Sequence, residues 1–230
     1  MVPCLLAAPF VAPRAAALPF LGASGVLHVV YAVLLMRSYG VGDFNQVYPL
    51  ARGISPLLVT LAAAAVAGET LGSAEATGVL LVSAGLATLA GRPRSGEGAA
   101  VALSIATGVV IAAYSVVDGL GVRHSGTPVG YTVWLFAIQG GLLALAMRRA
   151  LRPALPRLWI GALASAMSIL AYGLVIWAQD HGALGPIAAL RETSVIFAAA
   201  IGALVFRERF GARRLAASLV VSAGVILLAV

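Results

Sequence analysis

Residues 52–91, RGISPLLVTLAAAAVAGETLGSAEATGVLLVSAGLATLAG, and residues 191–230, RETSVIFAAAIGALVFRERFGARRLAASLVVSAGVILLAV, align without a gap at a shift of 139 positions. Thirteen of the 40 pairs are identical, among them Arg52/Arg191, Ser55/Ser194, Glu69/Glu208, Gly72/Gly211 and the run VSAG at 82–85 and 221–224. Chains rich in Ala, Leu and Val match one another by composition alone. Arg, Glu and Gly held in one register do not. The sequence therefore carries an internal duplication, and its fold is expected to be built twice.

The composition says in what solvent. Of 230 residues, 61% are hydrophobic and 10% charged, with a mean hydropathy of +1.03. A soluble domain carries roughly 45–50% apolar and about 25% charged residues. Too little polar surface remains to cover a water-soluble globule, and disorder, a collagen-like repeat and a disulfide-rich secreted fold are excluded as well. The single Cys4 forms no intrachain disulfide. A helix crosses a hydrocarbon core roughly 30 Å thick with about 20 apolar residues. Apolar runs at 20–38, 43–67, 75–91, 98–120, 130–147, 157–178, 185–206 and 213–230 fit that length. Their continuity favours helices, because barrel strands would be about ten residues long and alternating. Polar, Pro-bearing stretches at 92–98 and 148–156 separate them.

Parity supplies a geometry. The span at 43–67 and its copy at 185–206 are five helices apart, so the copies point in opposite directions across the bilayer. The loops agree with this: 68–75 holds two Glu and no Arg, whereas 207–214 holds four Arg. The expected fold is an all-α integral membrane protein, an inverted-repeat helical bundle with eight full transmembrane helices plus a partial N-terminal one. Its first half is residues 1–91, lacking a first helix and part of the second; 92–97 is a linker and 98–230 the second half. Residues 1–13, MVPCLLAAPFVAP, are too short to span. They lack the basic start of a signal peptide and read better as the back half of a helix that begins upstream.

All fifteen basic residues are Arg, giving a net charge of +7. Eleven of them fall in the loops 37–43, 91–97, 148–157 and 207–214, which lie on one side of the expected bundle. That placement reads as membrane orientation and not as nucleic-acid binding. It makes that side cytoplasmic and puts the C-terminus outside.

The segments YPLARGISPLLVTLAAAAVAGETLG (48–72) and LRETSVIFAAAIGALVFRERFG (190–211), each followed by a helix bearing VSAG, resemble the EamA family of the drug/metabolite transporter superfamily. The resemblance covers residues 20–230 and carries no substrate information. It implies ten helices in two inverted halves, moving metabolites, amino acids or drugs across the inner membrane. It also implies two cytoplasmic termini, opposite to the Arg count, so sidedness stays open. The chain departs from the family in lacking the first helix.

Candidate site residues follow from cost. Arg52 and Arg191 each lie roughly eight residues, or about 12 Å, into a span. An Arg at mid-membrane costs about 2.5–3.5 kcal/mol on insertion scales and so needs a cavity, a partner or the interface. Its planar fork of donors suits carboxylate, phosphate or phosphonate groups. Tyr48, Ser55 and Ser194 lie one turn away and can share the same substrate-binding faces. The alternatives are that each Arg caps carbonyls, snorkels or pairs with Glu192, and that the serines only join packed helices. Glu192 either neutralises Arg191 or exchanges a proton. Asp118, with Tyr114 one turn before it, is read as a helix terminator beside Gly119 and Gly121 or as a second proton-coupling carboxylate. His28 and Tyr31 read as packing residues. Trp134, Gln139, Tyr172 and Trp177 line a cavity or anchor at the interface.

No HExxH, GxSxG, Walker loop or Cys/His cluster is present, so no catalytic residue, cofactor or metal is expected. The expected partners are a small-molecule substrate, the lipid bilayer and, as an open option, a second copy in a homodimer; no nucleic acid is expected. The main rival to a secondary transporter is a non-transporting membrane protein, such as a truncated remnant, an assembly partner or a sensor's membrane domain.

Overall fold

The computed structural model describes residues 2–41, 44–90, 98–146, 158–194, 197 and 212–229. Among these residues all regular structure is helical and no strand occurs. In chain order the helices are α1 (Val2–Ala7), α2 (Leu18–Val41), α3 (Phe44–Ala67), α4 (Ser73–Ala90), α5 (Gly98–Ser125), α6 (Pro128–Ala146), α7 (Leu158–His181), α8 (Leu184–Arg191) and α9 (Ala212–Ala229). The linker 92–97, loop residues 148–157 and 207–211, and most of the expected span 185–206 lie outside the described residues.

Local chemistry accounts for the ends. Gly68 and Gly126, with φ of +65° and +71°, take the left-handed conformation that closes α3 and α5. Glu75 accepts the Gly72 N–H at 2.9 Å at the start of α4. Glu69 accepts the Leu184 N–H at 2.8 Å, so a carboxylate from the α3–α4 loop caps the positive end of α8. Arg123 donates to the carbonyls of Gln179 (3.0 Å) and Gly182 (2.7 Å), covering the last turn of α7. Two expectations change here. The span expected to end at 120 continues to Ser125, so Asp118 sits inside α5 and does not terminate it. Gly119 and Gly121 are accommodated within the helix because i to i−4 bonding continues past both.

Among the described residues, five helical stretches are long and apolar enough to cross a membrane: Ala15–Val41, Tyr48–Ala67, Gly98–Ser125, Pro128–Ala146 and Trp159–His181. Ser73–Thr88 and Ala216–Leu228 are shorter apolar helices. Outward faces are as apolar as the inside. Trp159, Leu163, Met167, Leu170, Leu174 and Trp177, all on α7, are exposed. Water would not tolerate that surface, and lipid does.

The chain packs as two compact units, and the division falls within α2 and within α5. The first unit, Met1–Val30 with Val117–Gly182, is built around Ala17, Leu21, Val122, Tyr131, Leu135 and Ile176. The second, Tyr31–Val116 with Ala183–Val230, is built around Val79, Val82, Leu86, Ala189 and Val221. Each unit draws on both sequence halves: α1 packs on α6, α3 on α8, and α4 on α9.

The α4–α9 crossing explains why VSAG occurs twice. A Cβ on Gly78 would lie 2.8 Å from the Gly224 carbonyl oxygen, and one on Gly224 would lie 2.7 Å from that of Gly78 and 2.9 Å from Val82 Cγ2. A Cβ on Gly85 would lie 2.6 Å from Val221 Cγ2 and 3.1 Å from the Ala217 oxygen. Adding 139 converts 78, 82 and 85 into 217, 221 and 224, so each contact set is the exchange of the other. The order of contacts, 78 with 224 and 85 with 217, makes the two helices antiparallel. Each VSAG thus supplies a Val to the partner's Gly and a Gly to the partner's Val, the small-residue contact by which helices approach closely in lipid.

Candidate functional site

The second unit contains a buried ion triad. Glu192 is completely buried, and Arg52 Nη1 donates to its two oxygens at 3.1 and 3.2 Å. Arg191 Nε donates to Glu192 Oε1 at 3.3 Å, and its Nη1 donates to Ser115 Oγ on α5 at 3.3 Å. The Tyr48 ring lies under the Arg52 guanidinium, 5.1 Å from ring centroid to Cζ, one turn earlier on α3. Tyr31 and Tyr114 meet edge-to-face at 5.8 Å, within electrostatic reach of Arg52. The side chains of Arg52 and Arg191 remain 21% and 12% exposed, against 0% for Glu192.

Backbone irregularity accompanies both arginines. Pro56 has no N–H to give the Arg52 carbonyl, which would be its i−4 acceptor in α3. On the other side α8 stops at Arg191, where Glu192 N–H turns to the Ala189 carbonyl at 3.0 Å and Thr193 N–H to the Leu190 carbonyl at 3.1 Å. These are i−3 bonds, tighter than an α-helix makes. At this point α8 is followed by a turn at Glu192 and Thr193.

The first unit holds a second polar cluster. Asp118 is completely buried and accepts Tyr172 Oη at 2.6 Å and Tyr131 Oη at 3.0 Å. His28 Nδ1 lies 2.9 Å from the Ser24 carbonyl oxygen and 3.2 Å from Ser24 Oγ, with its ring edge-on to Tyr172 at 5.7 Å. Two phenol hydroxyls, from α6 and α7, therefore converge on one carboxylate of α5.

Of the residues expected at a site, Arg52, Arg191, Tyr48 and Glu192 come together. The two arginines share one carboxylate. Ser55 is buried, and its hydroxyl has no hydrogen-bond partner among the described residues. Ser194 is exposed just after the turn. Trp134 donates to the Ala8 carbonyl at 3.0 Å, and Trp177 is exposed beside His181. Gln139 Oε1 is buried with no partner among the described residues. Sequence reading missed Ser115 and Tyr131 altogether and took His28 for packing. No spacing pattern marks them, because they meet only through packing of helices distant in sequence.

Replacing Arg52 with Ala leaves Glu192 held by Arg191 alone and is expected to lower stability by about 3 kcal/mol, the lower end for breaking a buried pair. Arg52→Lys keeps the charge but not the two-oxygen grip and is expected to cost less; unfolding of the detergent-purified protein separates the two.

Among the described residues no group of His, Cys, Asp and Glu side chains is arranged to hold a metal ion. Compared by sequence with known proteins, the chain matches no protein-family model and no curated protein.

Proposed function

We propose that this chain is a secondary transporter of the EamA type, in the drug/metabolite transporter superfamily, that moves a small anionic or zwitterionic metabolite across a cell membrane by alternating access. The observation that carries the reading is the convergence of two repeat-related arginines, Arg52 and Arg191, on one buried carboxylate within apolar helices. Such a pair of guanidinium forks is a ready receptor for an oxyanion. Transporters built from inverted repeats place their sites where helices are interrupted, as α8 is at Glu192; across from it α3 lacks one backbone hydrogen bond at Pro56. The inverted arrangement is supported by the antiparallel α4–α9 crossing, whose contacts exchange under the repeat. We assign the chain no catalytic step.

Counterflow into proteoliposomes tests this, with labelled lactate, glutamate and methylphosphonate as probes. Arg52→Gln and Arg191→Gln are each expected to reduce the uptake of at least one probe at least about tenfold, the equivalent of 1.4 kcal/mol of binding. Saturating that probe to 100 times its Kd should stabilise the wild type by about 2.7 kcal/mol and the variants by much less. Absence of counterflow and of stabilisation by every probe, with the Arg variants merely melting earlier, would favour a non-transporting membrane protein in which the triad is structural.

A further inference from the structure

The repeat is broken at one chemically decisive position. Glu192 stands where α3 has Gly53, so the two copies contribute two arginines but a single carboxylate. That carboxylate is attached to the turn that ends α8, and it fills the space between the forks in the way a bound oxyanion would. We infer that Glu192 is a tethered stand-in for the anionic ligand, displaced by it and protonated as it leaves, so that one proton enters the protein with each monoanion bound. The inference rests on the anion reading above.

Competition for the same donors supports the exchange. At rest both guanidinium groups are engaged by the one carboxylate of Glu192. An oxyanion bound on the arginines would be held beside that carboxylate in a site with little access to water, and like charges at such range disfavour the ionised form. The other titratable groups facing the triad are Tyr48, Tyr114, Tyr31 and Tyr39. Tyrosine and arginine ordinarily keep their protons below about pH 9. Of the helices packed on α8, α4 carries only Glu75, engaged with Gly72, and α9 carries only Arg213 and Arg214, in its first turn. Glu192 is thus the one carboxylate among the described groups that face the triad. Since the proposed exchange takes up a proton, affinity falls as pH rises.

The test is calorimetric titration of the full chain in detergent with benzenesulfonate, which stays ionised throughout, so any proton taken up belongs to the protein. Titrations at pH 6 and pH 8, in two buffers of different ionisation enthalpy, count protons on the wild type, Glu192→Gln and Arg52→Gln. The expected result at pH 8 is about one proton taken up per anion by the wild type. Glu192→Gln is expected to bind at least about tenfold tighter at pH 8 with no proton uptake, and Arg52→Gln to lose binding. Wild-type binding with no proton uptake at either pH, and with the affinity of Glu192→Gln, would overturn the inference and leave the anion site standing. If neither wild type nor Glu192→Gln binds benzenesulfonate or methylphosphonate at either pH, the anion reading itself falls and takes this inference with it. Should Glu192→Gln fail to fold, the wild-type proton count decides alone.

Discussion

Gly224→Val is expected to prevent α4 and α9 from closing on each other and to lower the unfolding temperature of the detergent-purified protein by about 6–12 °C. A Cβ at this position already lies 2.7 Å from the Gly78 oxygen and 2.9 Å from Val82 N, both backbone atoms that no rotamer change can move. Overpacking costs typically about 1–3 kcal/mol, and the upper end applies when the backbone must give way. For a chain of this size each kcal/mol shifts the midpoint by about 2–4 °C. Gly85→Val, the exchange-related change, should be milder, because its nearest neighbour is the Val221 side chain. Gly161→Ala on α7 is the control: nothing lies within 4 Å of its added Cβ, and Ala is favoured over Gly in a helix by roughly 0.5–1 kcal/mol. A Gly224→Val protein that melts with the wild type would refute the packing described for α4 and α9.

Asp118→Ala should be as damaging in the first unit. It removes the acceptor of the completely buried Tyr131 hydroxyl and that of the Tyr172 hydroxyl. Each buried donor left unpaired costs about 1–3 kcal/mol, so a loss of about 3 kcal/mol or more is expected. Asp118→Asn keeps one oxygen acceptor and should lose roughly half as much. Tyr172→Phe removes the shortest bond, 2.6 Å, and on its own should cost about 1.5–3 kcal/mol, as bonds to charged groups do. Combined in one chain, Asp118→Asn and Tyr172→Phe should cost clearly less than the sum of the two, since both remove the same interaction. Strict additivity in thermal unfolding would mean that the carboxylate and the phenol do not depend on each other.

How much of this was legible beforehand depends on the range of the interaction. The apolar runs expected at 43–67, 75–91 and 213–230 are helical wherever they are described, because length and apolarity are properties of each segment alone. Arg52, Arg191 and Glu192 stood out because a charge in an apolar run is costly wherever the run packs. Asp118 stood out for the same reason, but its role as a helix terminator was misread: adjacent glycines suggested an end, while tertiary hydroxyls and five further residues of α5 take it into a core. Tyr131 and Ser115 are ordinary polar residues of membrane helices until a partner arrives from another helix.

The sequence by itself determined a helical chain with segments apolar and long enough to cross a membrane, a self-similarity at a shift of 139 residues, and the charges that had to find partners. Those follow from composition and periodicity, which the solvent reads without reference to distant residues. Only the tertiary structure decided that both arginines would grip one carboxylate, that VSAG would face its own copy across an antiparallel crossing, and that compact units would cut across the sequence halves. In lipid no hydrophobic force chooses between one apolar face and another. The choice falls to small residues that permit close approach and to buried polar groups that must be satisfied, and both act only between helices already brought together.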